Sequence, residues 1–264
     1  MNGSIHPSAV GAALSGLRVA APPSLAARTL VAVGLVDEYT ILATPIGPVY
    51  IAWNGRGLSA VDVAPSDAAF EARLRELTGR PVRRVDEPPA RLGRSVARRL
   101  AGDRRARVRI DVRGRSEFER AVWAKALEIP RGEVRPYSWV AAEIGRPRAV
   151  RAVGSALGRN PVPLVVPCHR VVRSDGTIGQ YGLGGPANKR RLLVVEGVDL
   201  DGLGSLGSAG IRYIGSDTTH IFCLPTCHNT RRIGPRHRVP FRSAAEGVTA
   251  GYRACRECRP ASAA

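Results

Sequence analysis

Residues 137–157 read Tyr-Ser-Trp-Val-Ala-Ala-Glu-Ile-Gly-Arg-Pro-Arg-Ala-Val-Arg-Ala-Val-Gly-Ser-Ala-Leu. Ser138 can cap a helix over 139–144, Gly145-Arg146 makes a turn, and Pro147 stands where a helix tolerates it, at the start of a second helix over 148–157. Two helices joined by so short a turn have the spacing of a helix-turn-helix, which reads DNA in many proteins and is also common in all-α packing. Upstream, the pattern turns helical at Ser116, where Phe118, Val122, Trp123 and Leu127 share one face, and Pro130-Arg131-Gly132 closes that helix. The region 116–157 is therefore read as helical.

Before it the texture is strand-like. Runs at 39–44, 48–53 and 58–63, with Asn54-Gly55-Arg56-Gly57 as a turn, predict a small antiparallel sheet. A helix follows over 67–77, then a polar, Pro-containing stretch at 78–91, a short basic helix over 92–100 and one more strand over 108–112. Residues 7–19 have the spacing of an amphipathic helix ending before Pro22-Pro23, within an N-terminal extension (1–36) that carries no evident function. Gly-Leu-Gly-Ser-Leu-Gly-Ser-Ala-Gly at 202–210 has the composition of a flexible linker.

Composition narrows the partner. The 264 residues carry 40 Lys+Arg against 22 Asp+Glu, a formal charge of +18, and only Lys125 and Lys189 are lysines. Arginine forks match phosphates bidentately and stack on bases, so a nucleic acid fits better than an anionic membrane surface. The bland alternative is a chain rich in Arg and Ala throughout. Apolar runs such as 29–36 are too short to cross a bilayer, and the first residues lack a basic cluster leading into an apolar run. No membrane partner and a cytoplasmic location are expected. There is no phosphate loop, and the glycines around Tyr181 lack the strand-before, helix-after context of a dinucleotide site, so no nucleotide or organic cofactor is expected.

The five cysteines divide into one and four. Cys223-x3-Cys227 and Cys255-x2-Cys258, 27 residues apart, have the spacing of one tetrahedral Zn2+ held by four thiolates. His220 and His228 lie nearby, but four cysteines already complete such a site. So short a segment, poor in large apolar residues, needs the metal for much of its stability. Cys168 stands alone in Pro163-Leu-Val-Val-Pro167-Cys168-His169-Arg170-Val171-Val172, an apolar strand interrupted by a polar triplet. A thiol adjoining an imidazole and a guanidinium is a candidate nucleophile; the alternative is a buried structural cysteine.

The segment resembles the O6-alkylguanine-DNA alkyltransferases, the methylated-DNA–protein-cysteine methyltransferases, in Pro167-Cys168-His169-Arg170 followed by two aliphatic residues. The likeness extends through Gly132-Glu-Val, Tyr137, Arg151-Ala-Val-Gly154, Asn160-Pro161, Gly176, Tyr181, Lys189 and Leu192-Leu193-Val-Val-Glu196-Gly197, and back to Thr44-Pro45-Ile46-Gly47-Pro48. It implies a single-turnover S-methyltransferase acting on double-stranded DNA that carries alkylated guanine. The base is flipped out of the stack, and the Cys168 thiolate takes the alkyl group irreversibly. It further implies that His169 acts through a water as base for Cys168, Glu196 orients the imidazole, Tyr137 donates toward the departing guanine and Asn160 braces the site. Arg151 would fill the gap left by the base, with Ala149 and Arg170 also at the DNA and the helix over 148–157 in the minor groove.

Asp217-Thr-Thr-His-Ile-Phe-Cys223-Leu-Pro-Thr-Cys227, Phe241-Arg-Ser-Ala-Ala-Glu246 and Ala250-Gly-Tyr-Arg-Ala-Cys255-Arg-Glu-Cys258-Arg-Pro260 resemble the zinc domain of the adaptive-response protein Ada. There a zinc-bound cysteine accepts methyl from a DNA methylphosphotriester; by position that acceptor is Cys223. Phosphotriester repair and a purely structural or DNA-anchoring zinc module both remain open. Residues 211–264 hold nine arginines and three acidic residues, compatible with DNA contact.

The expected architecture is α/β plus α. It comprises the extension 1–36, a small-sheet alkyltransferase N-terminal domain (37–115), a winged-helix-like catalytic and DNA-binding domain with the helix-turn-helix (116–200), a linker (201–210) and an Ada-like zinc-binding domain (211–264). Two rivals stand beside DNA repair: a non-enzymatic sensor of alkylated DNA, which has no need of a nucleophile, and a zinc-dependent DNA-binding regulator, which has no need of alkylated DNA.

Overall fold

The structure, a computed structural model, describes residues 22–260; the helix expected at 7–19 lies outside them. Helix α1 (Pro23–Ala32) leads into β1 (Asp37–Thr44), β2 (Gly47–Asn54) and β3 (Gly57–Asp62). These are the three expected strands, antiparallel in the order β3-β2-β1 with Thr44 opposite Gly47 and Asn54 opposite Gly57. Gly55 in the second turn is obligatory for packing, since a Cβ there would sit 1.9 Å from the carbonyl oxygen of Ala32.

Helix α2 (Asp67–Thr78) is capped by the Ser66 side chain and buries Phe70 and Leu74 against Tyr39 and Tyr50 of the sheet. A fourth strand then appears where only a polar stretch was expected: β4 (Val82–Arg84) pairs parallel to β1 at the sheet edge. Three residues, two of them exposed arginines, give no alternation to read. Helix α3 (Ala90–Leu100) forms as expected. The strand expected at 108–112 reduces to a bridge between Leu58 and Ile110, anchored where Asn54 donates to the buried Asp111 carboxylate.

Helix α4 (Glu117–Ala126) starts in a capping box in which Ser116 and Glu119 satisfy each other's backbone N–H. A two-residue strand β5 (Arg135–Pro136) leads directly into α5 (Tyr137–Glu143), and a turn into α6 (Val150–Gly158). The helix pair is present with shifted ends. Pro136 rather than Ser138 occupies the N-cap of α5, and Pro147 falls in the turn, not in α6. The stretch around Cys168 is no strand: Cys168–Arg170 form a 3-10 turn, followed by β6 (Val171–Val172) parallel to β5. Helix α7 (Gly185–Val195) completes this region.

The expected linker is a helix, α8 (Leu200–Ser208), capped by Asp199, whose carboxylate accepts the Gly202 N–H. Within it Gly207 permits a close approach of another segment. A Cβ at Gly207 would lie 1.9 Å from the Asp175 carbonyl oxygen, and Leu203 packs into a core with Val134, Val172, Leu193 and Val198. Beyond it lie β7 (Tyr213–Ser216), β8 (Ile221–Cys223), α9 (His228–Arg231), β9 (Arg238–Phe241), α10 (Ala244–Thr249) and β10 (Arg253–Ala254), the strands ordered β10-β8-β7-β9. One continuous apolar core runs from Ile51 and Leu58 through Trp123, Trp139 and Val165 to Phe222 and Cys258, so the C-terminal module is packed onto the body.

Candidate active site and metal centre

The parallel pairing of β5 with β6 brings two distant segments together: β5 leads directly into Tyr137, and β6 begins immediately after the Cys168–Arg170 turn. Cys168 is 7% exposed. The Asn160 side-chain N–H group donates to its Sγ at 3.2 Å and to the Val166 carbonyl at 3.0 Å, while Asn160 Oδ1 accepts the Val162 N–H. One asparagine thus holds both the loop and the sulfur. Between them Leu164 adopts φ 73°, a backbone conformation costly for a branched apolar residue and maintained here by its burial.

His169 is buried, with Nε2 3.1 Å from Glu196 Oε1. Arg170 makes a bidentate pair with the same carboxylate at 2.8 and 2.7 Å and donates to the Ile129 carbonyl. Arg170, expected at the DNA, is therefore turned inward: its side chain is 7% exposed and its donors are spent on Glu196 and the backbone. Burial raises the Glu196 carboxyl, but the hydrogen bonds from His169 and Arg170 outweigh it and bring it down to about 2. Burial lowers His169, against the pull of Glu196. At neutral pH an ionised Glu196 accepts from Nε2–H of a neutral imidazole. Nδ1, buried and without a protein partner, is then left as a proton acceptor.

Burial raises the Cys168 thiol, partly offset by the Asn160 hydrogen bond and the Lys189 charge. Lys189 is itself buried, donates to the Val171 carbonyl at 2.6 Å and lies 5.9 Å from the Tyr137 ring; desolvation brings its ammonium down to about 8. It is a functional neighbour to which the sequence assigned no role. Tyr137 is raised, first by burial and then by the Cys168 charge, so its phenol remains a donor. Gly179 lies beside that hydroxyl and Gly154 of α6 beside the ring. A cavity of about 280 Å3 reaches Cys168 between Asn160, Gly158, Leu183 and the end of β3; Tyr137 does not line it.

Helix α6 buries Val153, Ala156 and Leu157 and presents Val150, Arg151, Ala152 and Ser155 to solvent. Arg151 is exposed and Ala149 half-buried, beside the exposed Arg146 and Arg148. This surface is basic.

The four remaining cysteines converge. Their sulfurs lie within 4.8 Å of one another, all four are buried and none forms a disulfide. Cys223 ends β8, Cys227 caps α9, and Cys255 and Cys258 follow β10. The Leu224 N–H points at Cys258 Sγ (3.4 Å) and the Asn229 side chain at Cys255 Sγ (3.6 Å), donors suited to thiolates. Four clustered, donor-supported sulfurs fit Zn2+. His220 lies tilted against the Tyr252 ring instead, and His228 faces Glu133. Glu133, contributed by the catalytic body, also lies close to Cys227. A cleft of about 470 Å3 has Cys223 and Cys255 in its wall, with Arg232, Arg253 and Arg256 around it.

Two family models match the chain: the 6-O-methylguanine DNA methyltransferase DNA binding domain over residues 117–198 and the metal binding domain of Ada over residues 208–261. A methylated-DNA–protein-cysteine methyltransferase of Methanosarcina barkeri is 35% identical over 150 residues, 55% of this chain and 89% of the relative. One from Mycolicibacterium paratuberculosis is 38% identical over 159 residues, 60% and 92%. The crystal structure of Mycobacterium tuberculosis OGT in complex with DNA is similar at a TM-score of 0.50 and 32% identity, covering 63% of this chain and 98% of that one.

Proposed function

We propose, from the premise that this chain belongs to the methylated-DNA–protein-cysteine methyltransferase family and repairs O6-alkylguanine in DNA, that Cys168 is its alkyl acceptor. Zn2+ is held by Cys223, Cys227, Cys255 and Cys258. The relatives' transferase activity leaves no need for the sensor reading. The observation that carries the assignment is the arrangement around one sulfur: Asn160 donating to Cys168 Sγ, with a neutral His169 oriented by Glu196 next along the chain.

In the proposed mechanism, a water links Cys168 to Nδ1 of His169, which takes the thiol proton. The thiolate attacks the alkyl carbon of the flipped base. An S–C bond forms as the C–O6 bond breaks, and guanine leaves with the electron pair and regains a proton. The Tyr137 phenol donates to the departing guanine, and the thioether stays on the protein. Arg151, on the exposed face of α6 with Ala149 at its start, occupies the space vacated by the base, α6 entering the minor groove. We further infer the division 37–115, 116–200 and 211–264, with 116–200 winged-helix-like, and a cytoplasmic location, in keeping with repair of cellular DNA; among the described residues no helix is long and apolar enough to cross a membrane.

Tyr137→Phe is the variant that tests this chemistry. It keeps the ring beside Lys189 and Gly154 and removes only the donor, so methyl transfer at saturating duplex is expected to slow by about a hundredfold with duplex affinity unchanged. A rate equal to that of the wild type would remove Tyr137 from the mechanism.

One observation favours a second acceptor. Cys223 forms part of the wall of an arginine-rich cleft, a setting suited to a DNA phosphate. When bound, Zn2+ keeps the thiolates deprotonated and nucleophilic. Incubation with DNA bearing methylphosphotriesters is expected to place methyl on the peptide containing Cys223, and Cys223→Ala to lose it. Absence of methyl on that peptide makes the module structural.

A further inference from the structure

The catalytic body and the zinc module meet at the residues that lead into Tyr137. The Trp139 indole donates to the Cys258 carbonyl at 2.9 Å, both residues buried. Val134 donates its N–H to Thr226 Oγ1 at 2.9 Å and accepts from the same hydroxyl at 3.2 Å. Glu133 Oε1 accepts the His228 backbone N–H at 3.2 Å, while its other oxygen pairs with Arg135 at 2.6 Å. Arg231 reaches the Gly132 carbonyl, and Arg259 covers the Trp139 ring at 5.5 Å while pairing with Glu143. Cys227 and Cys258 are themselves metal ligands, so the contacts of Thr226, His228, Cys258 and Arg259 attach to the metal site directly or one residue away, and that of Arg231 lies one helical turn beyond Cys227.

The same segment is tied to the active site on its other side. Gly132 has φ 79°, and a Cβ there would lie 2.9 Å from the Glu196 carbonyl oxygen. Arg135 and Pro136 pair with Val171 and Val172, next to the Cys168–Arg170 turn. Two residues of strand are little to hold a loop, because fixing each backbone residue costs conformational entropy. The zinc module supplies the missing hydrogen bonds, and it holds its own shape through the metal.

We propose that the zinc module is a metal-dependent brace for guanine repair, its loading fixing residues 132–139 so that Tyr137 and the Cys168 turn stand in register. Trp139 and Glu133 are the positioning residues. The inference rests on the assignment of Cys168 and Tyr137 above. It predicts that the guanine reaction, chemically remote from the metal, depends on metal occupancy.

The test uses the full chain, zinc-loaded and then stripped with a chelator, together with zinc-loaded Trp139→Phe. Three quantities are followed: amide exchange across 132–139, affinity for unmodified duplex, and methyl transfer to Cys168 at saturating duplex. Stripping is expected to speed exchange across 132–139 and to slow transfer by about tenfold, with zinc restoring both. Trp139→Phe, which keeps an aromatic ring in the core but loses the donor to Cys258 and part of the buried indole volume, is expected to change exchange and transfer in the same direction with duplex affinity unchanged. Unaltered exchange, or an unaltered transfer rate, in both the stripped protein and Trp139→Phe overturns the brace. No methyl on Cys168 in the zinc-loaded wild type overturns the acceptor assignment instead, so the two failures are distinct.

Discussion

Cys168→Ala is expected to abolish methyl transfer from O6-methylguanine DNA while leaving duplex affinity and stability near those of the wild type. The side chain lost is small and makes one hydrogen bond, from Asn160, whose amide keeps the Val166 carbonyl as a second partner. Destabilisation should therefore be about 1 kcal/mol. The other four thiols form the metal site, and the exposed face of α6 is untouched. A repair assay read against duplex binding checks this: retained transfer would show that another group is the acceptor.

Glu196→Gln should have the largest effect on stability. Glu196 serves a buried guanidinium and a buried imidazole at once, and neutralising it leaves the Arg170 charge without a counterion in the interior. Breaking a buried pair in this way costs about 3 kcal/mol or more. Transfer should also fall by about a hundredfold, because His169 loses the group that fixes its tautomer. The pH dependence has a definite sign. A folded carboxyl at about 2, below its ordinary 4.5, contributes stability that is fully present above pH 4.5 and is lost as pH falls toward 2. The stability gap between wild type and Glu196→Gln should therefore close over that window in acid denaturation experiments. A gap that does not change with pH would place the variant's effect in packing instead.

Much of this site was legible in the sequence because its signal is local. Cys168, His169 and the upstream Asn160 lie within ten residues, and the paired cysteines announce their own geometry by spacing. The direction in which each residue points was not legible. A strand through 163–172 would alternate its side chains, whereas the 3-10 turn at Cys168–Arg170 buries three neighbours together, and so Arg170 meets Glu196 in the interior.

The misreading of 202–210 has a related cause. The glycine-rich composition there reads as flexibility, but at Gly207 the requirement is a close approach to Asp175, a residue of another segment. The short edge strand β4 has no periodicity to detect. The docking of the zinc module was out of reach for the same reason: the Trp139–Cys258 hydrogen bond spans 119 residues, and no local pattern encodes it.

The most direct test is peptide mass spectrometry of the wild-type protein after incubation with excess duplex carrying O6-methylguanine. A single methyl per molecule, on the peptide containing Cys168, is the predicted result. A protein that clears the lesion with Cys168 unmodified, or that carries the methyl on any other residue, would contradict it.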